Sequence, residues 1–183
     1  MGLGSAVNTC VSNALGSGRG ARASRVAAAG ITCALAVQAT LATGLSLGGR
    51  NLITLITSDP GVAALAAQTL PVLCVLVFFD GINAVLSGVL RGSGEQAVGA
   101  AISSVYLACA LPLCYSLTFL APTLFTGLPI IGGVTEPVAR VWMGVALGSA
   151  CQAAVQLTLI SRWDWEAKAR RAAGLLSGGK AAA

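Results

Sequence analysis

Four long apolar segments dominate this sequence and limit the folds that it can adopt. They cover approximately residues 26–47, 62–90, 97–120 and 139–161. Each has about the 20 residues that a helix needs to cross roughly 30 Å of hydrocarbon, where the backbone must satisfy its own hydrogen bonds. A shorter apolar stretch at 2–16 predicts part of a further helix. The predicted fold is therefore an all-α, polytopic transmembrane helix bundle with about four full membrane helices and part of a fifth.

The low content of charged residues supports a membrane environment. Only 9% of the 183 residues are charged and 56% are hydrophobic, whereas a soluble domain carries about 25% charge. In a soluble protein the net charge of +5 would suggest a nucleic-acid partner. Here the basic residues lie in short clusters between the apolar segments, and the first cluster falls in a predicted glycine-rich loop at 16–24. We therefore expect a lipid bilayer as the partner and no nucleic acid.

The distribution of basic residues predicts the orientation, because cytoplasmic loops of membrane proteins are rich in Lys and Arg. If four helices alternate, one side of the membrane holds most of the basic residues, namely Arg19, Arg22, Arg25, Arg91, Arg162, Lys168, Arg170, Arg171 and Lys180. The other side holds Arg50 and Arg140. We expect a multi-pass integral membrane protein with a cytoplasmic C-terminus and a basic cytoplasmic tail at 166–183. Trp163 and Trp165 fit an interfacial aromatic anchor.

The cysteines and titratable groups argue against a metal site and against an enzyme. The six cysteines form no CxxC pair, and the sequence has no histidine, so neither a zinc site nor a disulfide framework is expected. An intramembrane enzyme would need a second acid, a Ser–Lys or Ser–His pair, or a metal set at membrane depth. We predict no metal, no cofactor and no enzymatic activity.

Asp80 is the charged residue in the interior of the apolar segments, whereas Arg140 lies at the edge of the fourth. Leu90, ten residues further on, marks the predicted cytoplasmic edge, which places Asp80 about 15 Å deep. An ionised carboxylate there costs at least ~2.5–3.5 kcal/mol unless it faces water, pairs with a cation or takes a proton. No basic residue of the sequence lies at that depth, so binding and release of H⁺ or Na⁺ is the favoured interpretation. The alternative is a protonated Asp80 in an interhelical hydrogen bond.

Other polar side chains in the apolar segments are candidates for a substrate or cation path. Asn83 follows Asp80 by one helical turn, so it shares a face with it. Gln38 and Gln152 are further candidates, although such residues are more often hydrogen-bonding partners between helices than ligands. Asn8 and Gln156 belong to the same group of polar residues.

Small residues at a spacing of four predict close packing of helices. Gly44 and Gly48 form one GxxxG pair, and Gly144 and Gly148 form another. Pro112, within the third long segment, predicts a kink because it lacks a backbone N–H.

Several motifs together resemble the MATE transporters, the multidrug and toxic compound extrusion family. Phe79-Asp80 followed by Ser87-Gly88-Val89-Leu90-Arg91-Gly92-Ser93-Gly94-Glu95-Gln96 is similar to the family's signature. Upstream, Asn13-Ala14-Leu15-Gly16-Ser17-Gly18 resembles the family's N-[AE]-L-G-[AS]-G stretch. Leu111-Pro112, Val141-Trp142-Met143-Gly144 and the run from Arg162 to Glu166 resemble later family features, the last of them typical of eukaryotic members. The motif residues to which this resemblance implies a structural role are Asn13, Gly16, Gly88, Arg91, Gly92, Gly94, Gln96 and Pro112.

The resemblance implies a place in a larger architecture. Family members have twelve helices in two six-helix lobes, and residues 1–165 would match part of the C-terminal lobe, from the end of the eighth helix through the twelfth. The N-terminal lobe would then be a missing partner. A longer connection around 127–137 departs from the family pattern. The family's acidic residue in the tenth helix falls on Asp80, which implies a role for it in cation coupling.

The function that the resemblance implies is a cation-coupled antiporter that exports small organic compounds or xenobiotics. H⁺ or Na⁺ would be the coupling ion, and the plasma or vacuolar membrane the location. The alternative is a structural membrane subunit, or an inactive truncated product, that does not transport.

Overall fold

The computed structural model describes residues 2–120 and 137–181, with side chains up to residue 175. The helices are α1 (Gly2–Gly16), α2 (Gly20–Ile56), α3 (Pro60–Gly92), α4 (Gln96–Tyr115), α5 (Pro137–Ser161) and α6 (Trp165–Ala181), and a π-helical segment, Ser116–Leu120, follows α4. No strand occurs in this part of the chain. Most of the predicted long connection at 127–137, and the side chain of Lys180, lie outside the described residues.

Four of these helices are long and apolar enough to cross a membrane: α2, α3, α5, and α4 together with its π-helical extension. Large apolar side chains are exposed on all four, which suits lipid as the solvent; examples are Leu47, Val77, Leu111 and Val155. The predicted all-α bundle of membrane helices is confirmed. The helix α2 extends beyond both limits of the predicted segment 26–47, and residues 20–24, which were expected in a loop, are helical.

The helix α3 begins with a capped N-terminus. The carboxylate of Asp59 accepts hydrogen bonds from the backbone N–H groups of Gly61 at 2.7 Å and Val62 at 3.2 Å. Pro60 then occupies the first helical position, where its missing N–H has no cost. This cap ends the short connection after α2 and starts the helix that carries Asp80.

The described chain forms two compact units, and each long helix contributes to both. The first unit contains Met1–Leu35, Gly81–Ile102 and Ala153–Ala183. Its core is made of fully buried side chains from α1 and the second part of α3, including Val11, Val85, Leu86, Val89 and Leu90. The helix α6 packs against α1 within this unit.

The second unit contains Ala36–Asp80 and Ser103–Gln152. Its core cluster consists of Val72, Leu117, Ala139, Met143 and Ala146. A Cβ at Gly144 would lie 2.6 Å from the sulfur of Cys114, and one at Gly148 would lie 2.8 Å from the ring of Tyr106. This GxxxG pair therefore packs closely against α4, as predicted.

The other GxxxG pair behaves differently. A Cβ at Gly44 or Gly48 would meet no heavy atom within 4 Å among the described residues. The prediction of close packing is wrong for this pair within the described part of the chain. In α2 it is Gly49 that a neighbour approaches, because the side chain of Leu70 lies 2.6 Å from the position of its Cβ.

Candidate functional site

Asp80 lies near the middle of α3. The helix runs from Pro60 to Gly92, so Leu76 is its central residue and Asp80 lies about 6 Å beyond it along the axis. Its side chain is exposed and makes no hydrogen bond or ion pair within residues 2–120 and 137–175. Tyr106 of α4, in the same unit, lies within electrostatic range of the carboxylate.

The two predicted glutamines of this unit have different surroundings. The amide nitrogen of Gln152 donates a hydrogen bond to the hydroxyl of Ser103 at 3.3 Å, linking α5 to α4. The amide oxygen of Gln38 is buried and has no hydrogen-bond partner in the described chain. No hydrogen bond joins Asp80 to either glutamine within the described residues.

Asn83 is a buried polar residue of the other unit. It is 7% exposed, and Ser87 follows it by one helical turn. From α5, the fully buried Gln156 donates a hydrogen bond through its amide nitrogen to the Ser87 hydroxyl at 3.4 Å. The amide oxygen of Gln156 has no partner among the described residues. Sequence reasoning grouped Gln156 with ordinary interhelical contacts and did not single out Ser87, although its spacing from Asn83 places both on one face.

The glycines of the motif lie where α1 crosses α3. A Cβ on Gly88 would collide with the backbone carbonyl oxygen of Gly4, and one on Gly92 would lie 2.6 Å from the carbonyl oxygen of Asn8. Both clashes are with backbone atoms, which cannot move aside as a flexible side chain can. Gly88 and Gly92 therefore allow two helix backbones to approach, as small residues do in membrane helix pairs.

The rest of the signature forms the tight connection between α3 and α4. Gly94 has a φ of 80°, and Gly18, between α1 and α2, has a φ of 71°. These left-handed values favour glycine at helix C-termini. The backbone N–H of Glu95 bonds to the carbonyl oxygen of Leu90 at 2.9 Å, closing the turn. Arg91 and Gln96 flank it with exposed side chains.

The remaining motif residues take simple positions. Asn13 is exposed, and its backbone carbonyl accepts a hydrogen bond from the N–H of Ser17 at 3.1 Å. Gly16 is the last residue of α1. Pro112 lies within α4, shortly before the π-helical segment in which the Thr118 hydroxyl bonds to the carbonyl of Cys114 at 2.7 Å. The Thr118 hydroxyl thus donates a hydrogen bond where the backbone changes from α-helix to π-helix.

No specific sequence signal indicated the role of α6. The Lys168 ammonium lies 2.6 Å from the Glu95 carboxylate and 4.0 Å from the centre of the Trp163 ring. The Glu166 carboxylate accepts a hydrogen bond from the Ala21 N–H at 2.7 Å, which caps the start of α2. These contacts connect the beginning of α6 to two other parts of the same unit.

A sequence model of the family described as MatE matches residues 1–116. The chain belongs to the MatE family. The crystal structure of the eukaryotic MATE transporter AtDTX14 superposes with a TM-score of 0.77 at 28% identity, over 94% of this chain and 36% of the transporter.

Curated MATE relatives extend the match almost to the end of the chain. Multidrug and toxin extrusion protein 1 of Rattus norvegicus is 32% identical over 173 residues, which are 93% of this chain and 28% of the rat protein. Protein DETOXIFICATION 14 of Arabidopsis thaliana is 30% identical over 172 residues, covering 93% of this chain and 33% of the plant protein. The chain thus spans about a third or less of the length of these relatives.

Proposed function

We propose that this chain forms part of the second lobe of a cation-coupled antiporter that exports small organic compounds. The observation that carries the proposal is the carboxylate of Asp80, exposed near the centre of the apolar helix α3. The names of the relatives, multidrug and toxin extrusion and detoxification proteins, support export of foreign organic compounds by a transporter rather than catalysis.

The position of Asp80 supplies the physical basis for coupling. An ionised carboxylate near mid-bilayer is unfavourable by at least ~2.5–3.5 kcal/mol when it faces hydrocarbon. Binding of H⁺ or Na⁺ neutralises the charge and removes most of that penalty. When Asp80 holds the cation, a conformation that shields it from water is favoured. When Asp80 is ionised, a conformation that exposes it to water is favoured. This difference allows an ion gradient to drive a conformational change.

Alternating access needs two lobes that move about a central site. The chain covers about 28% of the rat relative, so the proposal includes a partner lobe outside these 183 residues. The proposal also retains the predicted topology, with the basic tail in the cytoplasm, and a plasma or vacuolar membrane as the location. Asn83, Gln38 and Gln152 remain proposed contacts along the path of the substrate or cation.

The decisive experiment compares Asp80→Asn with the unmodified chain in proteoliposomes. Export of a fluorescent organic cation would be followed under an imposed pH or Na⁺ gradient, with and without a co-reconstituted first lobe of a relative. We expect Asp80→Asn to abolish the gradient-driven part of export, because the amide cannot exchange a cation at this depth.

Asp59→Asn is the matched control, since it makes the same change at the capped start of α3. An amide oxygen can still accept the capping hydrogen bonds, so we expect export to be retained. Equal gradient dependence in Asp80→Asn and the unmodified chain would remove Asp80 from the mechanism. No export in any combination would favour the alternative of a structural subunit.

A further inference from the structure

A shallow groove runs along the last two turns of α5. Its volume is ≈ 370 Å³, and its lining residues are Ala154, Val155, Thr158, Leu159 and Arg162. These positions follow the helical spacing of one face. All of them belong to one unit of the structure.

The groove is apolar except at one end. Thr158 is its polar member within the helix, and its hydroxyl already donates to the carbonyl oxygen of Ala154 at 2.7 Å. The side chain therefore presents mainly its methyl group. Arg162 lies just after the helix terminus and is exposed, and no ion pair involves it among residues 2–120 and 137–175.

The dimensions of the groove match one leaflet of a bilayer. From Ala154 to Arg162 the chain rises about 12 Å, which is close to half of the roughly 30 Å hydrocarbon thickness. Trp163 and Trp165, with ring centroids 5.4 Å apart, mark the interfacial level at the end of α5. The guanidinium thus lies at headgroup depth while the apolar lining faces acyl chains.

The charges near the open end favour an anion. Between residues 162 and 171 there are four basic side chains, Arg162, Lys168, Arg170 and Arg171, and two acidic ones. Lys168 is paired with Glu95, so these residues together with Glu95 carry a net charge of +1. Both acids are engaged with backbone N–H groups, Asp164 with Ala167 at 2.9 Å and Glu166 with Ala21 at 2.7 Å. The Arg162 guanidinium is therefore available to a phosphate, to which arginine binds in a fork geometry.

We propose that this groove binds an anionic glycerophospholipid of the cytoplasmic leaflet. One acyl chain lies along Ala154, Val155 and Leu159, and the phosphate contacts Arg162. Basic residues directly after a membrane helix attract anionic headgroups, and the apolar lining gives the attached chain a defined position.

The test uses the full chain in phosphatidylcholine vesicles that contain a phosphatidylserine probe with a photoreactive acyl chain. After irradiation, peptide mapping locates the crosslinks. We expect them to concentrate on residues 154–162, and we expect Arg162→Gln to lower the crosslinking there about fivefold, the effect of one basic side chain near an anionic surface.

Arg25→Gln is the matched control, because it removes an exposed arginine predicted on the same membrane side. It should leave the crosslinking at 154–162 unchanged. Ala154→Phe fills the groove while keeping Arg162, and it should also lower the crosslinking.

Four results would overturn the proposal. The first is equal crosslinking by a photoreactive phosphatidylcholine, which has no net charge. The second is a scatter of crosslinks along the whole of α5. The third is crosslinking at 154–162 that neither Arg162→Gln nor Ala154→Phe reduces. The fourth is the absence of crosslinks at 154–162, as expected if another protein segment covers the groove.

Discussion

At the scale of single residues, the glycines between Gly88 and Gly94 serve two different purposes. Gly88 and Gly92 remove side-chain bulk where α3 meets the backbone of α1. Gly94 meets no heavy atom within 4 Å of its Cβ position among the described residues, and it instead supplies a positive φ. A substitution at the first two positions is therefore limited by contact, and a substitution at the third by backbone conformation.

Gly88→Val should destabilise the chain by about 1–3 kcal/mol, the typical effect of an added group in a closely packed site. The reason is that the new side chain must displace the backbone of Gly4. Gly44→Val is the control, since a Cβ there meets nothing within 4 Å among the described residues. Unfolding in mixed micelles, followed by circular dichroism, measures both. Equal losses in the two variants would contradict a close crossing of α1 and α3.

Gly94→Ala should cost about 1–2 kcal/mol, because a Cβ strains the left-handed conformation. The loss should be smaller for Gly94→Asn, since asparagine tolerates this region better than alanine does. The same unfolding measurement ranks the three proteins. If the Gly94→Ala variant were as stable as the unmodified chain, the turn would have to adopt a different conformation.

The sequence identified the motif residues but could not separate these purposes. Spacing tells which residues share a helix face, and it does not tell what lies opposite that face. Gly44 and Gly144 start the same GxxxG pattern, yet only the second has a close neighbour in the described chain. Hydropathy was enough to locate Asp80, because that inference needs only the helix that carries it. The contact between Ser87 and Gln156 joins distant segments, so it was not predicted.

At the scale of elements, α6 is more than a tail after the last membrane helix. Its first turn is capped by the Asp164 carboxylate, which accepts from the Ala167 N–H at 2.9 Å. Lys168 then connects it to the turn between α3 and α4 through Glu95. The polar composition of 166–183 predicted a basic tail, but composition carries no information about such long-range partners.

The pair of Glu95 and Lys168 should contribute about 1 kcal/mol, at the upper end for accessible ion pairs. Its side chains are 34% and 19% exposed, so solvent screens the attraction only in part. A double-mutant cycle with Glu95→Gln and Lys168→Met isolates the coupling energy. We expect the coupling to fall as salt is added, and a value of zero at low salt would show that the contact has no energetic effect.

At the scale of the whole molecule, the sequence predicted the number and type of the membrane helices. Long apolar segments are a strong signal because lipid leaves the backbone no alternative to helix, and the four candidate spans confirm it. The exact ends were less predictable. Residues 20–24 contain glycine and arginine, which suggested a loop, but Glu166 caps the first turn of α2 and supports helix there.

The predicted topology can be tested by labelling cysteines with a membrane-impermeant maleimide. On a background without native cysteines, Ser17→Cys and Ser93→Cys should be labelled from one side, and Ser58→Cys from the other. Detergent-permeabilised membranes serve as the control for reactivity. Labelling of all three from the same side would mean that α2 and α3 do not both cross the bilayer.

The cap that Glu166 provides to α2 has a consequence for synthesis of the chain. The acceptor is 145 residues later than the Ala21 N–H to which it bonds, so at 5–20 residues per second the ribosome supplies it on the order of ten seconds after α2 is made. During that interval water or lipid headgroups must satisfy the free amide. The first turn of α2 therefore gains this cap only after the four candidate membrane helices have been translated.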